Sequence, residues 1–520
     1  MKKTTKRRSP AVSAAGAAKK SGKSTPKKSA AKPAAKAKTS ATKSAVRKTA
    51  KRRTSAVARR TAGEPITTLP RALKFLAGLS DVERSRIVRY DERTFDLQRM
   101  VDLLDDVGNP HEKIRTIHIA GTKGKGSTAT MIAAMLRANG MRVGVYSSPH
   151  LIDIRERFTI ATPTSPGEMI SQAEFTRLVA QVAPHCENGR GRVSYFDALT
   201  AVAFLFFASQ EVDIAVIETG LGGRLDSTNV VTPLVSAITG ISIDHTAQLG
   251  NTLAKIATEK AGIFKPGVPA VSVPQDDEAK RALRRVAKEK GVELAVLGDE
   301  LDFSYRFAAS RTLGVDPPAK HNYLCLHTPH SDFEHFPVPL VGEHQALNCA
   351  LALAVIDQLK QLGFALDDQR AMDAMDSVEL PGRMQIIHPA PRIIVDCAHN
   401  AASIDTVLRA IGQHVTYDSL VTIFGCCSDK DIDGMLAKLA CGADKVIFCG
   451  IDSVRGANPH DLAKRYQEKF GKVCQVADDL HGAMSIARRA VAKEDLICIT
   501  GSFYLVGEAI RAADEDTLVV

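Results

Sequence analysis

Residues 117–136, IHIAGTKGKGSTATMIAAML, decide the fold of this chain. A short apolar run stops at a cluster of glycine, threonine, lysine and serine, and a segment with helical spacing follows it. Glycines let backbone N–H groups approach an anion without a Cβ clash, and the N-terminus of a helix favours negative charge. The segment therefore predicts a strand, a phosphate-binding loop and a helix, which together begin a nucleotide-binding α/β domain.

The loop carries the residue types that phosphate chemistry uses. Lys125 supplies a point charge for the β- and γ-phosphates, and the Ser127 hydroxyl can ligate Mg²⁺. The spacing differs from the common G-x-x-x-x-G-K-[ST] pattern because Gly126 separates the lysine from the serine. An ordinary glycine-rich turn between a strand and a helix is the alternative interpretation. The nucleotide-binding interpretation also includes Gly121, Thr122 and Gly124.

Strand-like and helical segments alternate along most of the chain. Residues 67–107 have helical spacing, apolar runs then alternate with amphipathic segments, and a second such series begins after ELPGR at 379–383. Residues 276–340 are less regular and predict a helix, a hairpin and a loop. Alternation of this kind produces largely parallel sheets covered by helices on both faces. The sequence therefore predicts two α/β domains, a P-loop ATPase-like parallel-sheet domain over 67–378 and a Rossmann-like domain over 379–520.

The net charge of +11 comes from the N-terminal stretch. Residues 1–60 hold 21 of the 69 Lys and Arg residues and no Asp or Glu, which leaves 48 basic against 58 acidic residues in the rest of the chain. This stretch also lacks Leu, Ile, Phe, Tyr and Trp, so it cannot bury enough apolar surface to fold. We predict a disordered Lys/Ala-rich basic tail over residues 1–66. Non-specific contact with nucleic acid through residues 1–60 is one interpretation, and an inert solubilising arm or an address signal is the other.

Cysteine usage and hydropathy indicate the compartment. The ten cysteines are scattered without a CxxC pair, as is typical of thiols in a reducing cytosol. The longest apolar run, AVAFLFFA at 201–208, is far shorter than the roughly 20 residues that cross a membrane. The sequence therefore predicts a cytoplasmic protein without a membrane span, and we expect a monomer.

The loop and several further stretches together resemble one family. The form GTxGKGS is the phosphate loop of the folylpolyglutamate synthase/dihydrofolate synthase family within the Mur ligase superfamily, and the resemblance extends from about residue 70 to residue 520. The other matching stretches follow in the family's order: YSSPHLIDIRERF (146–158), ETGLGGRLDSTN (218–229), ITGISIDHTAQLGNTLAKIATEKAGIFKPG (238–267), GEHQALNCALA (342–352), LPGRMQ (380–385), VDCAHN (395–400) and TGSFYLVGE (500–508).

The resemblance implies an enzyme. Members of this family are Mg-ATP-dependent ligases that join L-glutamate to dihydropteroate, to tetrahydrofolate and its glutamate chain, or to both, through an acyl phosphate. Bacterial members often have both activities, and we expect the same here. Two alternatives stay open: another Mur-type amino-acid ligase, against which the GKGS spacing and SSPHL speak, and a nucleic-acid-associated NTPase anchored by the basic tail. The second would need a basic or aromatic binding face, whereas the chain beyond the tail is acidic and aromatic residues make up 5% of the whole.

The resemblance also assigns metal ligands. Glu218 ends the strand DIAVIE, where ligands bind in open α/β sheets, and with Ser127 it implies a Mg²⁺ site. His245 matches the family's second metal ligand. Lys260, fifteen residues later, matches a lysine that is carbamylated in the family, which turns a cation into an anion able to bind a second Mg²⁺. K⁺ is a further candidate ion. The residues alone favour plainer roles: a helix cap for Glu218, a structural histidine, and a surface lysine paired with Glu259.

Residues near and beyond the hinge match the nucleotide-binding parts of the family. Asn348 of HQALN is implied at the adenine, and Arg383 of GRM at the phosphates. Asp396 of VDCAHN is implied at the ribose or in orienting ATP, and His399 near the incoming glutamate or the nucleotide. A strand-end turn, with Asn400 capping the next helix, explains the last two residues equally well. The catalytic roles that the resemblance implies fall on Lys125, Lys260 and His399.

A pterin-binding side is implied at SSPHL and at the glycine-rich turn after Glu218. The residues assigned to it are Ser148, Pro149, His150, Arg157, Gly222 and Arg224. The chain departs from the family in three places. Lys123 replaces the usual Asn of the phosphate loop and adds a charge near the nucleotide, DCAHNAAS replaces the more common DGAHNP, and the basic tail has no counterpart.

Overall fold

A computed structural model describes residues 65–81, 95–186, 193–307, 322–338 and 340–518, and the predicted basic tail lies outside these ranges up to residue 64. The helices of the described residues are α1 (Leu69–Ala77), α2 (Leu97–Asp106), α3 (Lys125–Ala138), α4 (Gln172–Cys186), α5 (Tyr195–Ser209), α6 (Thr246–Leu249), α7 (Leu253–Lys260), α8 (Asp277–Lys290), α9 (Glu343–Gln361), α10 (Asp368–Ala374), α11 (Ala401–His414), α12 (Ile432–Gly442), α13 (Pro459–Phe470), α14 (Leu480–Ala490) and α15 (Phe503–Asp514). The strands are β1 (Thr116–Ala120), β2 (Val143–Tyr146), β3 (Phe158–Thr162), β4 (Ser165–Met169), β5 (Ile214–Glu218), β6 (Val235–Ile238), β7 (Ala270–Ser272), β8 (Leu294–Val296), β9 (Asp302–Phe307), β10 (Asn322–His327), β11 (Asp332–Val338), β12 (Gln385–Pro389), β13 (Arg392–Asp396), β14 (Leu420–Phe424), β15 (Lys445–Cys449), β16 (Gln475–Ala477) and β17 (Leu496–Thr500).

The larger sheet has the strand order β4-β3-β2-β5-β1-β6-β7-β8. The strands from β2 to β8 in this order are parallel, and β3 and β4 extend one edge in antiparallel pairing. β1 is buried along its whole length because helices cover both faces of the sheet. Ile117 and Ile119 pack in one cluster with α3 and α9, whereas α5 packs with Ile217 on the opposite face. The apolar run that opens the phosphate-loop segment is therefore a central strand.

Three neighbouring parallel strands end at the same edge of this sheet. The phosphate loop begins at Gly121 directly after β1, Glu218 is the last residue of β5, and Asp244 and His245 follow β6. Ligands of open parallel sheets bind at the carboxyl ends of the strands. The predicted strand–loop–helix order around the phosphate loop and the predicted strand-end position of Glu218 are confirmed.

A second sheet has the order β12-β13-β17-β14-β15-β16, and it is parallel except for β12. Helices α11, α12 and α13 pack on one face, and α14 and α15 pack on the other. The predicted α/β class, with two separate and largely parallel sheets, is confirmed. The predicted domain boundary near residue 379 stays a prediction, and Pro65–Val520 form one compact unit.

The irregular region between the two sheets holds more structure than its sequence predicts. It contains α8 and β8, and then a three-stranded antiparallel sheet in the order β11-β10-β9, where the sequence predicts a single hairpin. Phe333 and Phe336 of β11 pack into the cluster that contains α9. Packing of this kind between residues far apart in the chain stabilises short strands whose own pattern is weak. Within the described ranges, no helix is both long and apolar enough to cross a membrane.

Candidate active site

The phosphate loop is held between the first sheet and α9. The backbone N–H groups of Thr122 and Lys123 donate to the Gly240 carbonyl oxygen at 2.9 and 3.3 Å, which ties the loop to the segment after β6. Gly124 has φ +87° and is the N-cap of α3, and a Cβ there would lie 2.2 Å from Oδ1 of Asn348. Only glycine satisfies both the left-handed backbone and this close approach. The N-terminus of α3 therefore opens toward the cleft, as an anion site requires.

Lys125 and Glu218 form the polar centre of the loop. Lys125 Nζ lies 3.4 Å from Glu218 Oε1, and the Ser148 N–H donates to Glu218 Oε2 at 3.3 Å. Burial raises the pKa of the Glu218 carboxyl, and the charge of Lys125 opposes that rise. Ser127, in the first turn of α3, is also buried. Glu218 is not a helix cap, because its oxygens face the lysine and the Ser148 amide.

Lys260 lies beneath the loop and not on the surface. It is the last residue of α7, is 4% exposed, and donates from Nζ to the Gly121 carbonyl oxygen at 2.7 Å. Burial and the nearby charge of Lys125 lower the pKa of Lys260 to about 7. Glu259 binds Arg224 instead, with Arg224 Nε at 3.0 Å from its Oε2. The interpretation of Lys260 as a surface lysine paired with Glu259 is therefore wrong.

Asp244, which follows β6 of the first sheet, contacts residues that follow β13 and β14 of the second sheet across the cleft. It accepts hydrogen bonds from Lys430 Nζ at 3.1 Å and from Asn400 Nδ2 at 3.0 Å, and His399 Nε2 lies 3.8 Å from its Oδ2. Burial alone would raise the pKa of Asp244, but the charge of Lys430 holds it well below its usual range. Sequence reasoning missed Asp244 and Lys430 as site residues. The available signal was the position of Asp244 between a strand end and His245.

The pKa values of the two cleft histidines lie below the usual range of an imidazole. Desolvation and the charge of Lys430 lower the pKa of His245 to about 3 and that of His399 to about 4. His245 has φ +48°, an uncommon left-handed conformation for a residue with a side chain. His399 Nδ1 lies 2.9 Å from the Cys397 carbonyl oxygen. A neutral imidazole keeps a lone pair, so each ring can accept a hydrogen bond or ligate a metal ion.

The turn after β13 holds Asp396 by both carboxylate oxygens. The Met384 N–H donates to Oδ2 at 3.0 Å, and the Ala398 N–H donates to Oδ1 at 2.9 Å. Arg383 Nη1 donates to the Gly382 carbonyl oxygen at 3.1 Å, and the guanidinium lies over the Phe503 ring at 5.2 Å.

Asn400 caps α11, where its side chain accepts from the Ser403 N–H at 3.0 Å. The capping role predicted for Asn400 is thus confirmed, and the same side chain also reaches across the cleft to Asp244.

The cleft contains two adjoining chambers. The phosphate-loop chamber, of about 530 Å³, is lined by loop residues 122–127 and by Glu218, Asn348, Arg383, Asp396 and His399. The second chamber, of about 540 Å³, is lined by apolar and acidic side chains that include Phe95, Asp96, Phe196, Leu221 and Asp226. Asp244, His245 and Lys430 line both chambers. Ligands bound in the two chambers can therefore contact each other beside these three residues.

The residues predicted on the pterin side do not all lie together. Ser148, Pro149, His150 and Arg157 line the phosphate-loop chamber, where Arg157 Nε lies 2.9 Å from His150 Nδ1. Gly222 and Arg224 are not among the described residues that line either chamber. Of the LGGRLDST stretch (221–228), the sequence predicts these two residues on the pterin side. The stretch instead contributes Leu221, Leu225, Asp226 and Ser227 to the second chamber.

Comparison with known proteins agrees with this geometry. The family model described as Mur ligase middle domain matches residues 119–356, and the one described as Mur ligase, glutamate ligase domain matches residues 382–503. The dihydrofolate synthase/folylpolyglutamate synthase of Bacillus subtilis (strain 168) is 32% identical over 418 residues, which cover 79% of this chain and 93% of the relative.

Solved structures are similar in fold over most of the chain. Escherichia coli FolC in complex with DHPP and ADP matches with a TM-score of 0.74 and 28% identity, covering 88% of this chain and 100% of that one. A bifunctional folylpolyglutamate synthase/dihydrofolate synthase with Mn, AMPPNP and L-glutamate bound matches with a TM-score of 0.73 and 29% identity, covering 87% of this chain and 100% of that one. The chain therefore belongs to the dihydrofolate synthase/folylpolyglutamate synthase family of Mur ligases, the ATP-dependent ligases that add glutamate.

Proposed function

We propose that this chain binds Mg-ATP in the phosphate-loop chamber and joins L-glutamate to dihydropteroate, to tetrahydrofolates, or to both. The observation that carries the proposal is the Lys125–Glu218 pair at the N-terminus of α3, in a chamber that shares Asp244, His245 and Lys430 with the second chamber. The FolC structure that holds DHPP and ADP, and the relative that holds Mn, AMPPNP and L-glutamate, support the assignment of the ligands.

The chemistry requires activation because a carboxylate does not react with an amine. An oxygen of the substrate carboxylate attacks the γ-phosphorus, the bond to the β-phosphate oxygen breaks, and ADP leaves. The neutral amino group of glutamate then attacks the acyl carbon, the carbon–oxygen bond to phosphate breaks, and an amide forms as the nitrogen releases one proton to the departing phosphate or to water. Lys125 and the N–H groups at the start of α3 stabilise the charge of the transferring phosphoryl group.

The donors around Glu218 fit Mg²⁺. This ion prefers oxygen ligands and is usually bound by one or two carboxylates together with substrate phosphates and water. Among the described residues, no group of three or more His, Cys, Asp or Glu side chains could hold a metal ion by itself. A site made of the Glu218 carboxylate, the Ser127 hydroxyl and nucleotide phosphates agrees with that sparse set. When bound, the ion neutralises charge on the phosphates.

We assign a second Mg²⁺ to His245 and to a carbamate on Lys260, with K⁺ as a further candidate ion. A lysine reacts with CO₂ only as the neutral amine, and the lowered pKa of Lys260 makes that form abundant near neutral pH. The pKa of His245 is also lowered, which favours its neutral imidazole, and a neutral imidazole can ligate a metal ion. We further propose catalytic roles for Lys125, Lys260 and His399.

The remaining roles follow the two chambers. In the phosphate-loop chamber we propose that Asn348 lies at the adenine, Arg383 at the phosphates and Asp396 at the ribose side. We place the pterin in the second chamber, where Phe196 and Leu221 offer apolar walls to a flat ring. The residues that we propose to lie near the bound pteridine substrate, from its ring to the carboxylate that reacts in the phosphate-loop chamber, are Ser148, Pro149, His150, Arg157, Gly222 and Arg224.

A substrate panel tests the proposed function. The full chain is incubated with Mg-ATP and L-glutamate together with dihydropteroate, tetrahydrofolate or tetrahydrofolate diglutamate, and both ADP and product mass are measured. We expect glutamate-dependent ADP release and a product one glutamyl unit heavier with at least one pteridine. Turnover with a different amino acid and no pteridine would indicate another Mur-type ligase. ADP release that needs DNA and ignores glutamate would indicate a nucleic-acid-associated NTPase.

The basic tail gives a separate prediction. Residues 1–60 carry 21 positive charges, and binding by counterion release weakens steeply with salt. We expect deletion of residues 1–62 to leave kcat and the KM values for ATP, folate and glutamate nearly unchanged and to abolish retention on DNA or RNA at low salt. Loss of most turnover in a truncated enzyme that is still folded would instead place the tail in the catalytic machinery.

We also propose a monomer in the cytoplasm. The ten cysteines are all free, which supports a reducing compartment.

A further inference from the structure

The two chambers of the cleft carry opposite charge. Six charged side chains line only the phosphate-loop chamber, with a formal balance of +2: Lys123, Lys125, Arg157, Arg383, Glu218 and Asp396. Arg99 and six aspartates line only the second chamber, with a formal balance of −5: Asp96, Asp197, Asp226, Asp276, Asp429 and Asp431. The charged residues that line both chambers cancel: Asp81, Asp244, Lys430 and Arg455. Burial raises the pKa of Asp226, and the second chamber stays negative even when that carboxyl is protonated.

The cations of the second chamber do not offer a free charge to a substrate carboxylate. Among the described residues, each lysine or arginine that lines this chamber has an aspartate partner. The three ion pairs are Arg99–Asp197 at 2.8 Å, Lys430–Asp244 at 3.1 Å and Arg455–Asp429 at 2.5 Å. A substrate carboxylate would have to compete with a protein carboxylate for every one of these cations.

The helix ends at this chamber are also unfavourable for an anion. Asp96 and Asp431 cap α2 and α12, where they accept hydrogen bonds from the Gln98 N–H and the Gly434 N–H, each at 3.0 Å. Protein carboxylates therefore already occupy these two helix N-termini. Asp276 directly precedes α8, and in the described part of the chain its side chain forms no capping hydrogen bond and no ion pair. Its charge is therefore not neutralised by a protein partner.

The proposed substrates differ in the number of carboxylates that they bring to this lining. Dihydropteroate has one carboxylate, which is the group that reacts in the phosphate-loop chamber. In a glutamylated folate, each glutamyl unit stands between the ring and the reacting carboxylate and adds one α-carboxylate. With the ring in the second chamber, these added charges lie beside the shared residues or in the second chamber itself. Like charges repel there, and a cleft lined by one sign of charge strengthens the effect.

We infer that the second chamber selects pteridine substrates by charge, so that dihydropteroate is preferred and each added glutamyl unit is disfavoured. The aspartates act as a repulsive element against the more highly charged analogues. Apolar walls such as Phe196 and Leu221 contact the ring that all these substrates share, so they do not distinguish between the substrates. The inference rests on the proposed function and narrows it: formation of dihydrofolate is the main activity, and extension of a glutamate chain is the slower one.

A series of substrates with the same ring gives the first test. The value of kcat/KM is measured for dihydropteroate, dihydrofolate and dihydrofolate diglutamate, with the full chain, Mg-ATP and L-glutamate at low ionic strength. We expect kcat/KM to fall in that order, by about tenfold or more from first to last. Added salt should narrow the gap, because screening weakens repulsion between like charges. Dihydrofolate whose α-carboxylate is replaced by a carboxamide has nearly the same size and one charge fewer, so it should react better than dihydrofolate.

Charge substitutions test whether the aspartates cause the selectivity. Asp276→Asn removes one negative charge from the lining, and Asp276→Lys reverses it. Asp277→Lys is the matched control, because Asp277 is the next residue, is exposed and is not among the described residues that line either chamber. We expect the ratio of kcat/KM for the diglutamate to that for dihydropteroate to rise about twofold with Asn and about three- to tenfold with Lys. The control should leave this ratio nearly unchanged.

Several results would overturn the inference. One is a diglutamate that reacts as well as dihydropteroate, and another is a gap that salt does not narrow. A carboxamide analogue no better than dihydrofolate would show that size, and not charge, sets the order. Equal shifts in Asp276→Lys and Asp277→Lys would assign the effect to the net charge of the protein. All of these results would leave the proposed function standing, whereas absence of turnover with every pteridine would overturn the proposed function and this inference together.

Discussion

Lys125→Ala is expected to abolish ligase turnover while the protein stays folded. Phosphoryl transfer depends on positioning and charge stabilisation, so loss of the loop lysine should lower kcat by about 10³-fold or more. Lys125 is 14% exposed and faces Glu218 across 3.4 Å of the chamber, so it contributes little to the apolar core. Without Lys125, the buried Glu218 can take up a proton, because its pKa is already raised. The midpoint of thermal unfolding should therefore move by no more than about 3 °C.

Glutamate-dependent ADP release and thermal unfolding, measured on the same preparation, check this expectation. Lys113→Ala is the control for removal of a lysine outside the chamber. A Lys125→Ala variant that keeps its turnover but unfolds at a much lower temperature would assign the lysine to structure instead of catalysis.

Lys260→Ala is expected to be nearly inactive and partly rescued by short carboxylates. The substitution removes the proposed carbamate and leaves a space beneath the phosphate loop, next to the Gly121 carbonyl oxygen that Lys260 contacts. Formate or acetate in that space can supply the oxygen donors that the carbamate would supply. Lys260→Met fills the space, so the same carboxylates should fail to rescue it. Inactivity without rescue, together with weakened ADP binding, would show that Lys260 acts only by supporting the loop.

The carbamate also predicts a dependence on CO₂ and pH. The pKa of Lys260 is lowered from 10.5 to about 7, so the reactive neutral amine dominates above pH 7 and is lost as the pH falls through 7. Enzyme prepared without CO₂ should be less active, should recover with bicarbonate at pH 8, and should recover less at pH 6. Mass spectrometry that finds only unmodified Lys260 in active, Mg-loaded enzyme would refute the carbamate.

Sequence reasoning reached the fold through local signals. The strand and helix around the phosphate loop have clear periods, and their order fixes a parallel sheet with its ligand edge at the strand ends. The three-stranded sheet β9–β11 could not be predicted in the same way. Its strands depend on packing against α9, which is a contact between distant parts of the chain.

The site was predicted less completely than the fold for a similar reason. Asn400 and Lys430 lie 156 and 186 positions from Asp244 in the chain, and no local pattern indicates that they meet. Lys260 shows the opposite case. Its helix-end position beside Glu259 indicates a surface ion pair, yet Arg224 takes Glu259 and the lysine is buried. Spacing along the chain cannot show that a residue from elsewhere, here Arg224, binds the glutamate that was expected to pair with the lysine.

The contact of Asp244 with Lys430 and Asn400 limits how this protein can be recombined. One side of the contact belongs to the sheet that holds the phosphate loop, and the other side belongs to the sheet built around β13 and β17. A chimaera that takes one side from a relative without the matching residue leaves a buried carboxylate or a buried ammonium without its counterpart, at a cost of several kcal/mol. We therefore expect exchange of whole halves between relatives to be productive only when the residues at positions 244, 400 and 430 match.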